Sequence, residues 1–393
     1  MKINKWTVAL AAAGLISLPV AGLAEEKPNQ VLTALQGTSI SGYVDTSAQW
    51  NPGTGNLNSP MYKFGGPSKA DGFNLNVVQL RIEKPLDESE WAAGYRFDLW
   101  FGPDANTLGT TSLESESSSD LAIRQAYVAL RAPIGNGLDF KVGVFDSVVG
   151  YESVEDPANP NHTRSYGHSI EPQTHTGVLT TYRFCNWFSA SAGVANTVGP
   201  SINVKAHDSS LGNDKAESYK TYMGSVALTA PEDWGFLGGS TLYAGVVNGF
   251  NDGADENTTS WYTGLTMNTG VKGLKVGAAF DYLNIHNLSG DDNAWAAGAY
   301  VSYQATDKLS FHVRGEWLDD DANALYSDSA VNHAKVLAVT GTVQYDLWAN
   351  VLSRLEVRWD HSASGEQLFG ENGSGEPDLI NAWMVAANII YKF

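Results

Sequence analysis

The chain of 393 residues has a single cysteine, no run of 18 apolar residues, and only 24 Lys and Arg against 43 Asp and Glu. With Cys185 alone no internal disulfide can form, and its turn, "RFCNWF", marks it as a small packing residue rather than a nucleophile. Without a long apolar run, no helix is expected to cross a membrane. A formal charge of −19 and a pI near 4.7 leave no basic face for nucleic acid. Acid-rich chains are often disordered, but 12 Trp, 17 Tyr and 14 Phe argue for a folded one.

The first residues are a separate unit. Lys2 and Lys5 precede an apolar stretch from Val8 to Leu18, and "AGLA" stands before Glu25. This order predicts a cleaved export signal over 1–24, cut after Ala24. Its apolar core is too short for a spanning helix of about 20 residues. Loss of Lys2 and Lys5 takes the charge to −21. Residues 25–38 read as a short periplasmic tether.

From residue 39 onward, period-two alternation recurs to the end of the chain. In "SISGYVDTSAQW", Ile40, Val44, Thr46, Ala48 and Trp50 oppose Tyr43, Asp45, Ser47 and Gln49. "WAAGYRFDLWF" sets Trp91, Tyr95, Phe97 and Leu99 against Arg96 and Asp98. "LDFKVGVFD", "LKVGAAFDY", "LSFHVRGEWL" and "SRLEVRWDH" repeat the design, with Lys141, Asp281, Arg314, Glu316, Arg354, Glu356 and Arg358 on the polar face. Alternation of this kind predicts strands with one oily and one wet face. Residues 72–84, 120–132, 239–249 and 258–269 read as strands whose oily face is not defined. About sixteen strands result.

Between them, short turn-like links ("APIGNG", "CN", "NTGVKG", "ATDK") alternate with long polar segments near 51–71, 102–119, 146–175, 198–216, 319–332 and 361–379. Tight turns on one rim and extended loops on the other predict an all-β transmembrane antiparallel barrel over 39–393. In hydrocarbon a sheet must close on itself to pair its backbone, so the oily face points to lipid and the charged face to the lumen. Trp50, Trp91, Trp295, Trp317, Trp359 and Tyr391 stand at strand ends, where interfacial girdles are expected. The last segment, "NAWMVAANIIYKF", alternates through Trp383, Val385, Ala387, Ile389, Tyr391 and Phe393, and is expected to close the barrel against 39–50.

Several stretches are similar to the OmpL-like β-barrel porin family: "SISGYVDTSAQWN", "IRQAYVALRAPIGNGLDFKVGVFDSVVGYE", "NPNHTRSYGHSIEPQTHTGVL" and the Phe-terminated last strand. The resemblance covers nearly the whole mature chain and is firmest between 123 and 179. It implies an outer-membrane porin of a Gram-negative-type bacterium, passing small hydrophilic solutes and ions, with lipid as its surroundings. Likeness to general diffusion porins implies a homotrimer. The terminal pattern with Tyr391 and Phe393 resembles the signal read by the barrel-assembly machinery.

The longest connection, 146–175, follows the fifth strand, where general porins fold a loop into the lumen. It is the candidate constriction, carrying Glu152, Glu155, Asp156, Arg164 and Glu171. The candidate pore wall is Arg81, Arg96, Asp98, Arg131, Lys141, Arg183, Arg314, Glu316, Arg354 and Arg358. Acids on the loop opposite arginines on the wall would set a transverse field that selects ions, and the acid surplus suggests a weak cation preference. The alternative is that these charges pair with one another. His162, His168 and His175 with Glu171 match no zinc spacing, so neither metal nor cofactor is expected. No nucleophile–base motif identifies a catalytic residue. A barrel hydrolase and an adhesive surface protein remain the alternative functions.

Overall fold

The computed structural model describes residues 37–53, 58–110, 119–206, 218–251, 256–287, 290–321, 324–326 and 333–393. The export signal, and all of the tether but its last two residues, lie outside them. Sixteen strands form one closed antiparallel barrel in which sequence neighbours pair and the last strand meets the first. They are β1 (Ser39–Trp50), β2 (Gly72–Lys84), β3 (Ala92–Phe101), β4 (Leu121–Ala132), β5 (Leu138–Asp146) and β6 (Thr174–Cys185). Next come β7 (Phe188–Ala195), β8 (Thr221–Thr229), β9 (Thr241–Phe250), β10 (Asn257–Asn268) and β11 (Leu274–Asn287). The barrel is completed by β12 (Gly290–Gln304), β13 (Leu309–Asp320), β14 (Ala334–Trp348), β15 (Val351–Ser362) and β16 (Asn381–Lys392).

The faces invert those of a soluble sheet. On β15, Leu355 is 54% exposed on the outside while Arg358, pointing inward, is fully buried. Trp50, Trp91 and Tyr391 are exposed on the outer surface. There Trp359 also packs on Trp383, with ring centroids 6.1 Å apart. Closure follows the expected pairing, from Tyr43 opposite Lys392 to Trp50 opposite Val385. Phe393 N donates to Gly42 O, and Gly42 N to Phe393 O, both at 3.0 Å. Gly42 is needed here, because a Cβ would lie 2.7 Å from the Phe393 ring and 2.0 Å from Gln79 O.

Two strands that the alternation left without a clear face owe this to β-bulges. The β1–β2 register skips Asn76, and the β3–β4 register skips Arg124. Each extra residue turns inward and is buried, so the period of two changes phase in mid-strand. Loop lengths are also less strictly sorted than expected. The β9–β10 and β11–β12 connections occupy only 251–256 and 288–289 on the rim that otherwise carries the long connections. Pairing there runs to the strand ends, Phe250 with Asn257 and Asn287 with Gly290, and leaves little chain to spare.

The lumen also holds apolar clusters of its own. One gathers Tyr166, Ile170, Leu318, Tyr326, Val336 and Phe369; a second gathers Tyr43, Val77, Trp100, Leu108, Val154 and Ile390. A third joins Phe145, Val149, Met223, Val247, Tyr262 and Tyr300. Each contains a residue of the segment between β5 and β6, and this segment organises the interior.

Candidate functional site: a loop folded into the lumen

The connection between β5 and β6, residues 147–173 (here L3), leaves the loop rim and crosses the barrel. Its first residues are apolar. Val149 packs beneath Gly245 of β9, where an added Cβ would come within 3.0 Å. Tyr151 stacks on Tyr300 of β12 with centroids 4.2 Å apart. A one-turn helix, Tyr166–Ile170, then forms behind Ser165, whose hydroxyl caps it by accepting from His168 N at 3.1 Å.

The polar middle of L3 is bonded to the opposite wall. Glu155 Oε1 accepts from Arg81 of β2 and from Arg96 of β3, the latter at 2.9 Å. Asp98 joins the same pair, at 2.9 Å from Arg81 and 2.7 Å from Arg96. Asp156 lies between Arg164 of the loop at 2.8 Å and Arg354 of β15 at 3.0 Å. These two guanidiniums outweigh burial and hold the Asp156 carboxyl below the usual range. Glu152 meets Arg314 of β13 at 3.0 Å, and Arg314 meets Glu316 at 2.9 Å.

Backbone groups of L3 are satisfied by wall side chains as well. Glu356 accepts from His162 N at 2.6 Å, Thr163 N at 2.9 Å and the Thr163 hydroxyl at 2.6 Å. Arg314 and Arg358 each donate at 2.7 Å, to Thr163 O and Arg164 O respectively. Tyr166 N donates to Glu316 at 2.9 Å, and its hydroxyl to Asp360 at 2.7 Å. The Arg358 guanidinium sits between the Tyr62 and Tyr166 rings, 4.7 and 5.0 Å from their centroids. A buried loop must place every amide and carbonyl somewhere, and the wall charges supply the partners.

Of the expected site residues, Glu152, Glu155, Asp156 and Arg164 thus come together with Arg81, Arg96, Asp98, Arg314, Glu316, Arg354 and Arg358. Glu171 is buried apart from this network, near Asp281 of β11 and 3.7 Å from His168 Nδ1. Burial, then the charge of Asp281, pushes the Glu171 carboxyl well up; burial pushes the His168 imidazole well down. Arg131, Lys141 and Arg183 are elsewhere, towards the rim of short turns. Arg131 pairs with Asp139 at 2.6 Å, Lys141 Nζ lies 5.0 Å over the Tyr127 ring, and Arg183 is exposed. Residues outside the expected set also matter. Arg124 is buried against Asp146, and the two preceding loops send Tyr62, Phe64 and the Lys69–Asp104 pair inward. "PMYKFGG", with two aromatics inside a polar loop, was the one visible sign of this.

Among the described residues, cavities lie below L3 towards the turn rim. One of about 480 Å³ is lined by Tyr151, Ser153, Lys275, Tyr300, His312 and Gln344. Another, of about 360 Å³, is lined by Glu83, Lys84, Tyr95, Tyr127, Arg131 and Lys141.

In overall fold the chain is similar to solved porins. An anion-selective porin from Comamonas acidovorans superimposes with a TM-score of 0.62 at 12% identity, over 91% of this chain and 99% of that one. OmpF of Salmonella typhi gives 0.58 at 12% identity over 91% and 97%, and the outer-membrane channel DcaP of Acinetobacter baumannii gives 0.56 at 12% over the same shares. No curated protein sequence matches the chain significantly. The model of the family described as "Putative beta-barrel porin-2, OmpL-like" matches residues 37–393. The chain therefore belongs to the OmpL-like β-barrel porin family, and its sixteen-stranded fold is that of an outer-membrane porin.

Proposed function

We propose that this porin is a narrow diffusion channel for small hydrophilic solutes and ions, with L3 as its constriction and no catalytic role. The single observation behind this reading is the path of L3, which touches β9 and β12 on one side and β2, β3, β13 and β15 on the other. Solute in this reading passes beside the crossbar and into the cavities on its turn-rim side, rather than through a wide central pore. In this reading the short turns face the periplasm and the long loops the exterior. Residues 1–24 are removed on export, and Tyr391 and Phe393 carry the assembly signal. A homotrimer is in keeping with the fold; one similar structure, OmpT of Vibrio cholerae, is described in a trimer form.

The pairing of Glu152, Glu155 and Asp156 with arginines bears on selectivity. Paired charges produce a short-ranged field, so a weak cation preference rests chiefly on the acidic surplus of the whole chain. Planar-bilayer recordings test the reading. The full chain is expected to give small, well-defined current steps, and a variant lacking 152–171 steps several-fold larger. A folded barrel that conducts nothing, or a deletion that leaves conductance unchanged, would refute the channel or the constriction respectively. Clear anion preference in a salt gradient would refute the selectivity.

A further inference from the structure

Where L3 passes β1, three ligand-type side chains converge from separate elements. Asp45 of β1, Asp156 and His162 each offer one atom, and these atoms lie within 4.8 Å of one another. Asp45 is only 1% exposed, yet it accepts from the neutral amides of Asn76 at 3.0 Å and Asn388 at 2.5 Å. Among the described residues no Lys or Arg lies in ion-pair range of it. A buried carboxylate without a cation is costly.

Two further polar atoms at this place lack partners. His162 Nδ1 is buried with no hydrogen bond, although Asp156 Oδ2 is 3.6 Å away. The Tyr43 hydroxyl, on a side chain 3% exposed, also has none. Both residues line one enclosed cavity of about 10 Å³ together with Asp45 and Asp156, a space for roughly one water-sized sphere. An orphan imidazole nitrogen, an orphan phenol and an uncompensated carboxylate around so small a space would all be answered by one bound cation.

We propose that Asp45, Asp156, His162 and the Tyr43 hydroxyl form a site for one divalent transition-metal cation that fastens L3 to the barrel wall. Carboxylate and phenol oxygens with one imidazole nitrogen are a borderline-hard donor set of the kind that takes Zn²⁺ or Mn²⁺. The surroundings are those of a ligand shell held in place. Asn76 and Asn388 orient Asp45, Arg164 and Arg354 orient Asp156, and Glu356 fixes the His162 backbone. The two arginines already offset the charge of Asp156, so the cation's charge is met chiefly by Asp45. The competing account is metal-free, with a protonated His162 placed between the two aspartates.

The test uses the whole mature chain folded in detergent, stripped with a chelator and titrated with Zn²⁺ alone. About one Zn²⁺ per chain is expected, together with a higher unfolding temperature. Asp45→Asn and His162→Gln should each weaken binding at least ten-fold. His333→Gln, which removes an exposed imidazole beside Asp319, should leave it unchanged. The wild-type titration needs no variant, so a variant that fails to fold does not blunt the test. Wild type that takes up no stoichiometric Zn²⁺ supports the imidazolium account and overturns the proposal. So does Zn²⁺ that survives both site variants or is lost with His333→Gln.

Discussion

The inner wall has two unlike arcs. From β13 and β15 across β1 to β3 it carries Arg314, Glu316, Arg354, Glu356, Arg358, Asp360, Asp45, Arg81, Arg96 and Asp98. Across β7 to β10 the inward residues include Ser189, Ser191, Ser225, Ala227, Tyr243, Gly245, Thr258, Tyr262 and Thr266, and none of that inward set is charged. L3 answers both. Its apolar start packs on the neutral arc, and its polar middle is bonded to the charged one. In the reading we propose, wall charge serves first as a receptor for the porin's own loop, and the neutral arc is left with serines, threonines, tyrosines and small residues. The charged arc, in that same reading, is a structural contact before it is a filter.

The largest effect should come from the centre of the charged arc. Glu356→Ala removes the acceptor of two L3 amides and two hydroxyls. Breaking a buried charged network from one side costs about 3–5 kcal/mol. Denaturant unfolding in detergent should show that loss, and single-channel traces should become noisier as L3 loosens. A loss below about 1 kcal/mol would mean that L3 is held by its apolar start alone. At the edge of the same arc Arg81, Arg96 and Glu155 are partly exposed, while Asp98 between the two arginines is buried. There Arg81→Ala, which leaves Asp98 and Glu155 paired with Arg96, should cost only about 1 kcal/mol. It leaves one cation against two acids, and the reversal potential in a salt gradient should move towards cations. On the neutral arc, Ala227→Asp should change stability by no more than about 0.5 kcal/mol. It should nevertheless shift the reversal potential in the same direction. If it does not, solutes do not pass along that arc.

Strand number, closure and the inward side of β1, β3, β13 and β15 were legible in the sequence, because a wet lumen and an oily exterior impose alternation that nothing else disturbs. On β2 and β4, Asn76 and Arg124 hid the phase, since a bulge leaves no mark in composition. On β14 the inward residues Ala334, Val336 and Ala338 are as apolar as the outward ones, because they meet Tyr166 and Phe369 rather than water. The length of L3 and its acids pointed to the right segment. Which wall residue each acid would meet was not readable, because that depends on how far into the barrel each turn of the loop reaches. Arg131, Lys141 and Arg183 show the same lack of depth information. They alternate like Arg314 and Arg354 but stand towards the other rim, away from L3.

The apolar and polar anchors of L3 also respond differently to pH, and Glu171 gives the smallest and most specific effect. Its carboxyl is raised by burial and by Asp281, so folding favours the protonated form. The stability it contributes is then complete below the unfolded value of about 4.3 and is lost as pH rises through the folded value. His168, lowered by burial, works in the opposite sense. Its contribution is complete above about 6.5 and is lost as pH falls through its folded value. Above about pH 6.5 the His168 contribution is complete, so of these two groups only Glu171 still changes. Stability should therefore fall more steeply with rising pH above about 4.3 in the wild type than in Glu171→Gln. Equal slopes in the two proteins would place the titrating anchor elsewhere. Since Arg164 and Arg354 hold Asp156 ionised, the contacts of L3 with the charged arc should persist as the pH rises while the Glu171 end of the loop loosens.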